Sequence, residues 1–407
     1  MTKIDAGPSL FTDFDHMDPL IGADGTPFGF YEALRDEAMA NPVGWSEHHN
    51  GFWVVAGYDE CYSIMQNTAA FSNDAVTFPA YETGEKNKLM LAGMDEPLHK
   101  KYRTLVAAPF SPAKVAEFGT VSRVMTNQII DSFIADGKAD VASRLGDDVP
   151  GRVTAILLGL PEVDGDTYRE WTFAMAHLFF TDPAAAGAIV GEMYEYFTKV
   201  LDERKRNPGE DVLSLVIRSE LDGERLTDEE LLGFFIVLLI GGIENTARLI
   251  NNGLWRLAWD VELRRRLIAK PELIPSAVDE LLRYYTPAPV GRLVLEDVSV
   301  GGVDMKAGQI ALTHLPIANR DPRQFPYPDA LIPDRTPNRH IALGTGIHRC
   351  LGIHLLRVEA AAVFTEFLQR IPEFELDRDQ PSQWSAGQVA GMAEVPVVFP
   401  AGEPVGA

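Results

Sequence analysis

A long helix near the middle of the chain sets the strongest limit on its fold. Thr227 fits the N-cap position and Glu230 stands three residues further on, which is the capping-box arrangement. The helical pattern then runs to about Trp259, a length that crosses a globular protein. Its apolar run, 231–243, covers about 13 residues, the length of a buried core helix rather than of a membrane span. We therefore expect a soluble protein built around a buried helix.

The middle of this helix carries paired glycines, Gly241 and Gly242, followed by Glu244, Asn245 and Thr246. A glycine inside a helix costs about 1 kcal/mol relative to alanine, so the pair needs a structural reason. A groove for a closely approaching ligand, or a kink that opens the backbone to water, would supply that reason. A buried acid beside a hydrogen-bonding side chain is also the arrangement of a proton relay.

The second prominent feature is the glycine-rich segment 343–352, which contains Cys350. It directly precedes an apolar helical pattern over 353–370 that Pro372 closes. Unpaired amides at a helix N-terminus lower the pKa of a thiol and favour the thiolate, the form that ligates metals. Glycines such as Gly344 let the backbone fold around the sulfur and approach a flat group. Taken alone, the segment still favours an ordinary loop with a buried structural cysteine.

The segment resembles the haem-binding signature of the cytochrome P450 monooxygenases, Phe-Gly-x-Gly-x-His-x-Cys-x-Gly. It departs from that signature at Leu343, where the family usually has Phe. The resemblance implies that the thiolate of Cys350 is the axial ligand to the iron of haem b, with electron donation that favours O–O cleavage. Gly344 in this loop and Gly241 on the long helix are then expected to approach the cofactor.

The glycine-containing stretch of the long helix resembles the family's oxygen-activating motif, Ala/Gly-Gly-x-Asp/Glu-Thr-Thr. Glu244 then holds the acid position and Thr246 the second threonine, whereas Asn245 replaces the threonine that hydrogen-bonds dioxygen. Asparagine both donates and accepts hydrogen bonds, but it does not relay a proton as a hydroxyl does. Proton delivery through water or a substrate group, and a neutral replacement with unchanged chemistry, both remain open.

Further positions match the family in the same order along the chain. Glu280 and Arg283 match its Glu-x-x-Arg ion pair, with Arg335 as the later partner. A set of basic side chains matches its propionate-binding positions: His99, Arg103, Arg292, His340 and His348. Apolar side chains are candidates for contact with the substrate: Phe78, Tyr81, Phe235, Leu238, Val290, Val294 and Met392. For Phe78 and Tyr81 an ordinary surface loop fits the pattern nearly as well.

The fold that the resemblance implies is mainly α with small β-sheets, the cytochrome P450 fold. The chain is expected to form one domain over 1–407, with β-structure at about 40–70 and 290–315 and a helical remainder. The haem is expected between the long central helix and the helix after Cys350.

The charge and the cysteine content limit the partners and the cellular compartment that we expect for the protein. The formal net charge of -23 argues against nucleic acid or an anionic membrane as a partner. Only Cys61 and Cys350 are present, too few for a disulfide framework, and the acidic N-terminus lacks the features of a secretory signal. A reducing cytoplasm is the expected compartment.

The reaction that the resemblance implies is monooxygenation: one atom of O2 is inserted into a small hydrophobic substrate. Electrons are expected from a ferredoxin and a ferredoxin reductase, because the sequence shows no flavin or nicotinamide domain. We expect the ferredoxin to dock on basic residues near the cysteine segment: Lys100, Lys101, Arg339, Arg349 and Arg357. Two alternatives remain. A peroxide-driven peroxygenase would normally lack the acid at Glu244, and a non-catalytic haem-binding or gas-sensing protein is favoured only by Asn245.

Overall fold

Helices dominate this computed structural model, which describes residues 9–23, 25–79, 89–160, 167, 168, 170, 171, 174, 178 and 182–406. Tyr81 lies outside the described residues. The α-helices are α1 (Phe28–Ala38), α2 (Tyr58–Gln66), α3 (Leu98–Val106), α4 (Pro112–Asp131), α5 (Asp148–Leu158), α6 (Pro183–Arg206), α7 (Val212–Arg218), α8 (Asp228–Trp259), α9 (Val261–Ala269), α10 (Ile274–Tyr284), α11 (Leu315–Ala318) and α12 (Ile353–Arg370). The expectation of a mainly α fold is confirmed.

The strands form small sheets. They are β1 (Val43–Ser46), β2 (Phe52–Val55), β3 (Phe71–Ser72), β4 (Lys138–Asp140), β5 (Glu220–Leu221), β6 (Glu224–Arg225), β7 (Val290–Val294), β8 (Val298–Val300), β9 (Val303–Met305), β10 (Ile310–Thr313), β11 (Glu375–Leu376), β12 (Gln383–Ser385), β13 (Gly391–Glu394) and β14 (Pro396–Val398). The largest sheet has the order β1-β2-β10-β7-β3. It joins the start of the chain to the segment after α10, through the parallel pairing of Leu312 with Val54.

The central helix α8 has the boundaries that its sequence signals predict. Thr227 Oγ1 accepts the Glu230 N–H at 3.3 Å, and Glu230 Oε2 accepts the Thr227 N–H at 2.7 Å, so both halves of the capping box form. By length and composition α8 is the one helix in the described ranges that could cross a membrane, but 56% of its apolar window is buried inside the fold. That burial is typical of a core helix.

The glycine pair allows a close helix contact rather than a kink, since α8 continues through it. A Cβ on Gly242 would lie 2.7 Å from Thr154 Oγ1 on α5, which is closer than real Cβ atoms approach. Gly241 has open space where a Cβ would stand. Gly242 therefore allows α5 to pack closely against α8, and Gly241 leaves open space beside α8.

A buried ion cluster ties α10 to the segment before Cys350. Glu280 is 0% exposed and accepts hydrogen bonds from Arg283 Nε and Nη2, both at 2.8 Å. Arg335 Nε adds two contacts at 3.0 Å, and the backbone N–H of Ile332 and Nδ2 of Asn338 donate at 2.9 and 3.2 Å. Every oxygen of the carboxylate is thus supplied with donors, which offsets the desolvation of its charge.

Removing this carboxylate is expected to destabilise the protein strongly. Glu280→Ala leaves two buried guanidinium groups without their acid, and breaking a buried pair in this way costs about 3–5 kcal/mol. We expect the urea unfolding midpoint to fall accordingly and the purified protein to hold little haem. Glu272→Ala, an exposed acid just before α10, is the control. Equal midpoints for the two variants would contradict a bracing role for Glu280.

Candidate active site

A cavity of about 340 Å³ lies between α8 and the segment that leads into α12. Parts of α3, α5, β7 and the cysteine segment complete its walls. Most lining side chains are apolar, and the polar ones come from a few positions on these elements. Apolar walls with a few placed polar groups are typical of ligand sites.

One face of α8 forms a wall of this cavity. Leu238, Gly241, Gly242, Asn245 and Thr246 line it, because residues three and four apart share a helix face. The hydroxyl of Thr246 donates to the Gly242 carbonyl at 3.3 Å, within the helix itself. Because the Thr246 hydroxyl is engaged within the helix, the side-chain amide of Asn245 is the polar group of the predicted oxygen-activating motif that faces the cavity.

The cysteine segment forms the opposite part of the lining, with Leu343, Gly344, His348, Cys350 and Leu351. Its backbone turns sharply because Gly344 and Gly346 both have a φ of 68°, a conformation that L side chains rarely adopt. The Cys350 N–H donates to the Leu343 carbonyl at 2.9 Å, which closes the turn. Leu343, the departure from the signature, thus contacts the cavity directly.

The sequence predicts a lowered pKa for the Cys350 thiol, but the structure of the protein alone indicates a raised one. Burial raises the pKa of the Cys350 thiol, and the Gly352 N–H together with the charges of Arg103, Arg349 and Arg357 opposes that rise. Cys350 precedes α12 by three residues, so the donors at the helix start are present, but desolvation outweighs them in the protein alone. A bound cation would reverse this balance.

A group of basic side chains gathers at one end of the cavity. His99 and Arg103 of α3, Arg292 of β7 and His348 all line it. The rings of His99 and His348 have centroids 4.0 Å apart, and burial with nearby cations lowers the pKa of His348 to about 3. Burial also lowers the pKa of Arg292 to about 10.

These groups have few acidic partners among the residues that the structure describes. Arg103 Nη2 and Arg292 Nη1 donate to the backbone carbonyls of Arg349 and Gly291, at 2.6 and 2.7 Å. His99 approaches Glu96 only to 3.8 Å, and its Nδ1 has no hydrogen-bond partner in the part of the chain that the structure describes. Buried guanidinium and imidazole groups that face a cavity with so little countercharge among the described residues fit an anionic ligand with more than one carboxylate. The donor set therefore fits a haem whose propionates meet these side chains while Cys350 meets the iron.

Two residues predicted for haem binding or for the proton relay do not line the cavity. His340 Nδ1 accepts the Ala342 N–H at 3.3 Å and Nε2 lies 3.5 Å from Asp279 Oδ1, so its ring is engaged away from the other cations. Glu244 lies about 100° around α8 from Asn245, and its Oε1 is 3.6 Å from Nη2 of Arg248. His340 therefore lies apart from the group that lines the cavity, and its role as a propionate ligand stays a prediction.

The predicted substrate contacts divide into two groups. Leu238 and Val290 line the cavity, whereas four others are packed into the core and do not line it, so that their contact with a substrate stays a prediction: Phe78, Phe235, Val294 and Met392. Phe78 packs on Phe52 with ring centroids 4.9 Å apart, and Phe235 packs on Phe197 at 5.7 Å.

The other two core residues have equally clear reasons for their burial. Val294 shares the face of Val290 on β7 but lies about 13 Å further along the strand. Met392 is held by α8, because its N–H donates to Asn252 Oδ1 and its carbonyl accepts from Arg248 and Asn251. Its side chain is 1% exposed.

Several lining residues were not predicted from the sequence, and Thr154 of α5 and Glu359 of α12 are two polar ones among them. Glu359 is 1% exposed, and its position carries a signal that could have revealed it. It stands four residues after Leu355 and four before Val363, so it is an acid on the apolar face of an amphipathic helix. Thr154 carries no such signal, because only the packing of α5 on Gly242 brings it to the cavity.

Comparisons with known proteins identify the family of the chain. A sequence model of the family described as Cytochrome P450 matches residues 184–385. The chain is 33% identical to the Mycinamicin IV hydroxylase/epoxidase of Micromonospora griseorubida, over 85% of this chain and 89% of that protein. It is 35% identical to the cytochrome P450 monooxygenase PikC of Streptomyces venezuelae, over 86% of this chain and 85% of that one.

Solved structures give the same result. The cytochrome P450 PksS of Bacillus subtilis 168 superposes with a TM-score of 0.85 at 28% identity, covering 95% of this chain and 99% of that one. CYP109E1 from Bacillus megaterium, solved in complex with testosterone, gives a TM-score of 0.83 at 30% identity, covering 92% of this chain and 97% of that one. Fold, cavity and relatives together show that the chain belongs to the cytochrome P450 family, whose members are oxidoreductases that use thiolate-ligated haem iron.

Proposed function

We propose that this protein is a cytoplasmic, ferredoxin-dependent monooxygenase that inserts one atom of O2 into a small hydrophobic substrate. The observation that carries the proposal is the composition of one cavity. Cys350 and a group of basic side chains, which have few acidic partners among the described residues, lie on one side of it, and Asn245 lines it from α8. Apolar positions such as Leu238, Val290 and Val237 leave the remaining surface suited to a hydrophobic molecule.

Each part of the cavity has a distinct task in this function. His99, Arg103, Arg292 and His348 donate hydrogen bonds to the propionates, and the charges of the two guanidinium groups strengthen the bonds that they make. Cys350 ligates the iron, and the bound haem supplies the redox chemistry by which dioxygen is split. Asn245 donates or accepts a hydrogen bond beside the reacting oxygen, and Gly241 keeps space open there. The apolar lining orients the substrate and limits the entry of water.

The first test examines the thiolate ligand. The dithionite-reduced protein treated with carbon monoxide is expected to show the absorption maximum of a thiolate-ligated haem. Cys350→His is expected to bind haem but to show the maximum of an imidazole-ligated one, because the ligand atom changes from sulfur to nitrogen. Cys61→Ser is the control, since that thiol is fully buried and donates to the Val55 carbonyl. An unchanged spectrum in Cys350→His would remove Cys350 as the ligand.

The second test examines the electron donor. Lys100, Lys101, Arg339 and Arg349 are exposed, whereas Arg357 is partly held by Asp279 at 2.7 Å and Lys101 by Asp222 at 2.5 Å. Arg349→Glu is expected to slow reduction by an acidic ferredoxin at least about tenfold at low salt, with a smaller effect at high salt, because steering by charge is screened. Stopped-flow reduction measures the rate.

Arg265→Glu on α9 is the matched charge reversal, at an exposed position on an element that carries no motif residue. Equal reduction rates for the Arg349 and Arg265 variants would contradict docking at the cysteine segment. Turnover supported by hydrogen peroxide at the same rate as by ferredoxin would favour a peroxygenase instead.

The third test examines Asn245. Asn245→Thr restores a hydroxyl and is expected to lower the hydrogen peroxide released per NADPH oxidised, whereas Asn245→Ala is expected to raise it, because a positioned hydrogen-bonding group is lost. Peroxide and NADPH are measured together in the ferredoxin-supported reaction. The same ratio in wild type and both variants would show that the amide has no special task.

A further inference from the structure

Arg248 is a buried guanidinium group on α8, one helical turn after Glu244. Its Nη2 lies 3.6 Å from Oε1 of Glu244, which is the one acid that pairs with it in the part of the chain that the structure describes. Both side chains are 8% exposed, and Glu244 does not line the cavity. A guanidinium group keeps its charge inside a protein, so a buried one is stable only beside a carboxylate. Glu244 therefore supplies the countercharge that lets Arg248 stay inside the fold.

Arg248 also holds the strand β13 against α8. Its Nη1 donates to the Met392 carbonyl at 3.1 Å, and Asn251 Nδ2 donates to the same oxygen at 3.1 Å. The Met392 N–H donates in return to Asn252 Oδ1 at 2.9 Å. The strand comes this close because Gly391 has no side chain, since a Cβ there would stand 3.0 Å from two carbon atoms of Arg248. Arg248 thus joins the acid on α8 to the backbone of β13.

The chain just before β13 meets the wall of the cavity. In the turn over 386–390, the Ala390 N–H donates to the Pro287 carbonyl at 2.8 Å. Pro287 directly precedes Ala288, and both Ala288 and Val290 line the cavity. Packed protein interiors transmit displacements, so the position of β13 and the position of this wall are linked.

We propose that Glu244 is a positioning residue, which shapes the wall of the cavity through Arg248 and β13. The carboxylate keeps the charged side chain of Arg248 in place, and that side chain holds β13 by the Met392 carbonyl. The strand in turn fixes the segment that lines the cavity at Ala288 and Val290. The acid performs this task away from the cavity. The proposal goes beyond the proposed function, because it concerns the shape of the site, and its tests need neither dioxygen nor an electron donor.

The first test follows the backbone of β13 by hydrogen–deuterium exchange, measured on peptides that cover 386–394. In Glu244→Gln the guanidinium group of Arg248 is left without an acid, so we expect it to turn toward water and release β13. Exchange in these peptides is expected to become about tenfold faster, a usual size for the coupling of groups in one network. Equal exchange in wild type and Glu244→Gln would overturn the proposal.

Asp260→Asn is the matched control for this exchange measurement. Asp260 pairs with Arg256 at 2.7 Å, with the same four-residue spacing, at the end of α8. Its other oxygen accepts the Leu263 N–H at the start of α9, a bond that asparagine also accepts. The loss of this ion pair is expected to leave exchange over 386–394 at the wild-type rate. Faster exchange in Asp260→Asn, equal to that in Glu244→Gln, would contradict a specific link from Glu244 to β13.

The second test follows the cavity wall by titrating the haem-loaded protein with two azoles that ligate iron, imidazole and 4-phenylimidazole. Imidazole is small and needs access only to the iron, whereas the phenyl group of the larger azole must also fit within the cavity. We expect Glu244→Gln to weaken the binding of 4-phenylimidazole about tenfold and to leave that of imidazole unchanged. The absorbance change on ligation measures both. An equal loss for the two azoles, or no loss for either, would overturn the proposal.

The third test separates a task performed through Arg248 from any other task of the acid. Arg248→Met keeps a long unbranched side chain without the charge, and it is expected to weaken the binding of 4-phenylimidazole. If Glu244 acts by holding Arg248, Glu244→Gln added to Arg248→Met causes no further loss, because the partner is already absent. Additive losses in the double variant would show that Glu244 acts independently of Arg248, and would overturn the proposal.

A variant that changes no charge tests the same wall and covers the case in which Glu244→Gln does not fold. Gly391→Ala places a methyl group 3.0 Å from Arg248, so β13 must move away from α8 by a few tenths of an ångström. We expect weaker binding of 4-phenylimidazole and unchanged binding of imidazole. Gly29→Ala on α1, where a Cβ meets nothing within 4 Å, is the control. Equal binding of 4-phenylimidazole by the two alanine variants would contradict the link between β13 and the wall.

Discussion

The buried carboxylate of Glu280 is the constraint on which the rest of the site depends. A charge with no exposure is stable only when donors surround it, and Arg283, Arg335, Ile332 and Asn338 supply them from two separate parts of the chain. The segment before the cysteine is thereby fixed to α10. Ile341 then donates to Asn319 Oδ1 at 2.8 Å, and the turn at Gly344 carries the backbone on to Cys350. The position of the thiol thus follows from an ion cluster well before it in the chain.

The cavity that this segment closes has an uneven distribution of charge. Its basic side chains are on α3, β7 and the cysteine segment, and the guanidinium groups of Arg103 and Arg292 donate to backbone carbonyls. Such an arrangement is unfavourable in the protein alone, as the lowered pKa values of Arg292 and His348 indicate. A ligand that brings both carboxylates and a metal ion relieves the cationic groups and the thiol of Cys350 together. Cofactor binding and stability are therefore linked through the same residues.

The sequence predicts features that depend on near neighbours. The capping box at Thr227 and the helix over 353–370 appear as expected, since a few residues determine where a helix begins and ends. The wall formed by Leu238, Gly241 and Asn245 also follows from helix periodicity. Periodicity predicts which face of a helix or strand a residue lies on, but not whether that part of the element reaches the cavity. Phe235 and Val294 therefore share a face with cavity residues and are nevertheless packed in the core. Which part of an element reaches the cavity depends on how the helices and strands pack together, and a single sequence does not show that packing.

The two acids near the cavity show why a motif position alone does not assign a chemical role. Glu244 holds the motif position, but Arg248 one helical turn later draws its side chain toward β13. Glu359 belongs to no expected motif, yet α12 carries it into an apolar wall, where its oxygens have no hydrogen-bond partner among the described residues and burial raises its pKa. An ion pair favours the charged form of a carboxyl group, whereas burial without a partner favours the neutral form that donates. A motif position therefore predicts the helix face on which an acid lies, but it does not predict the partners that its carboxyl group meets.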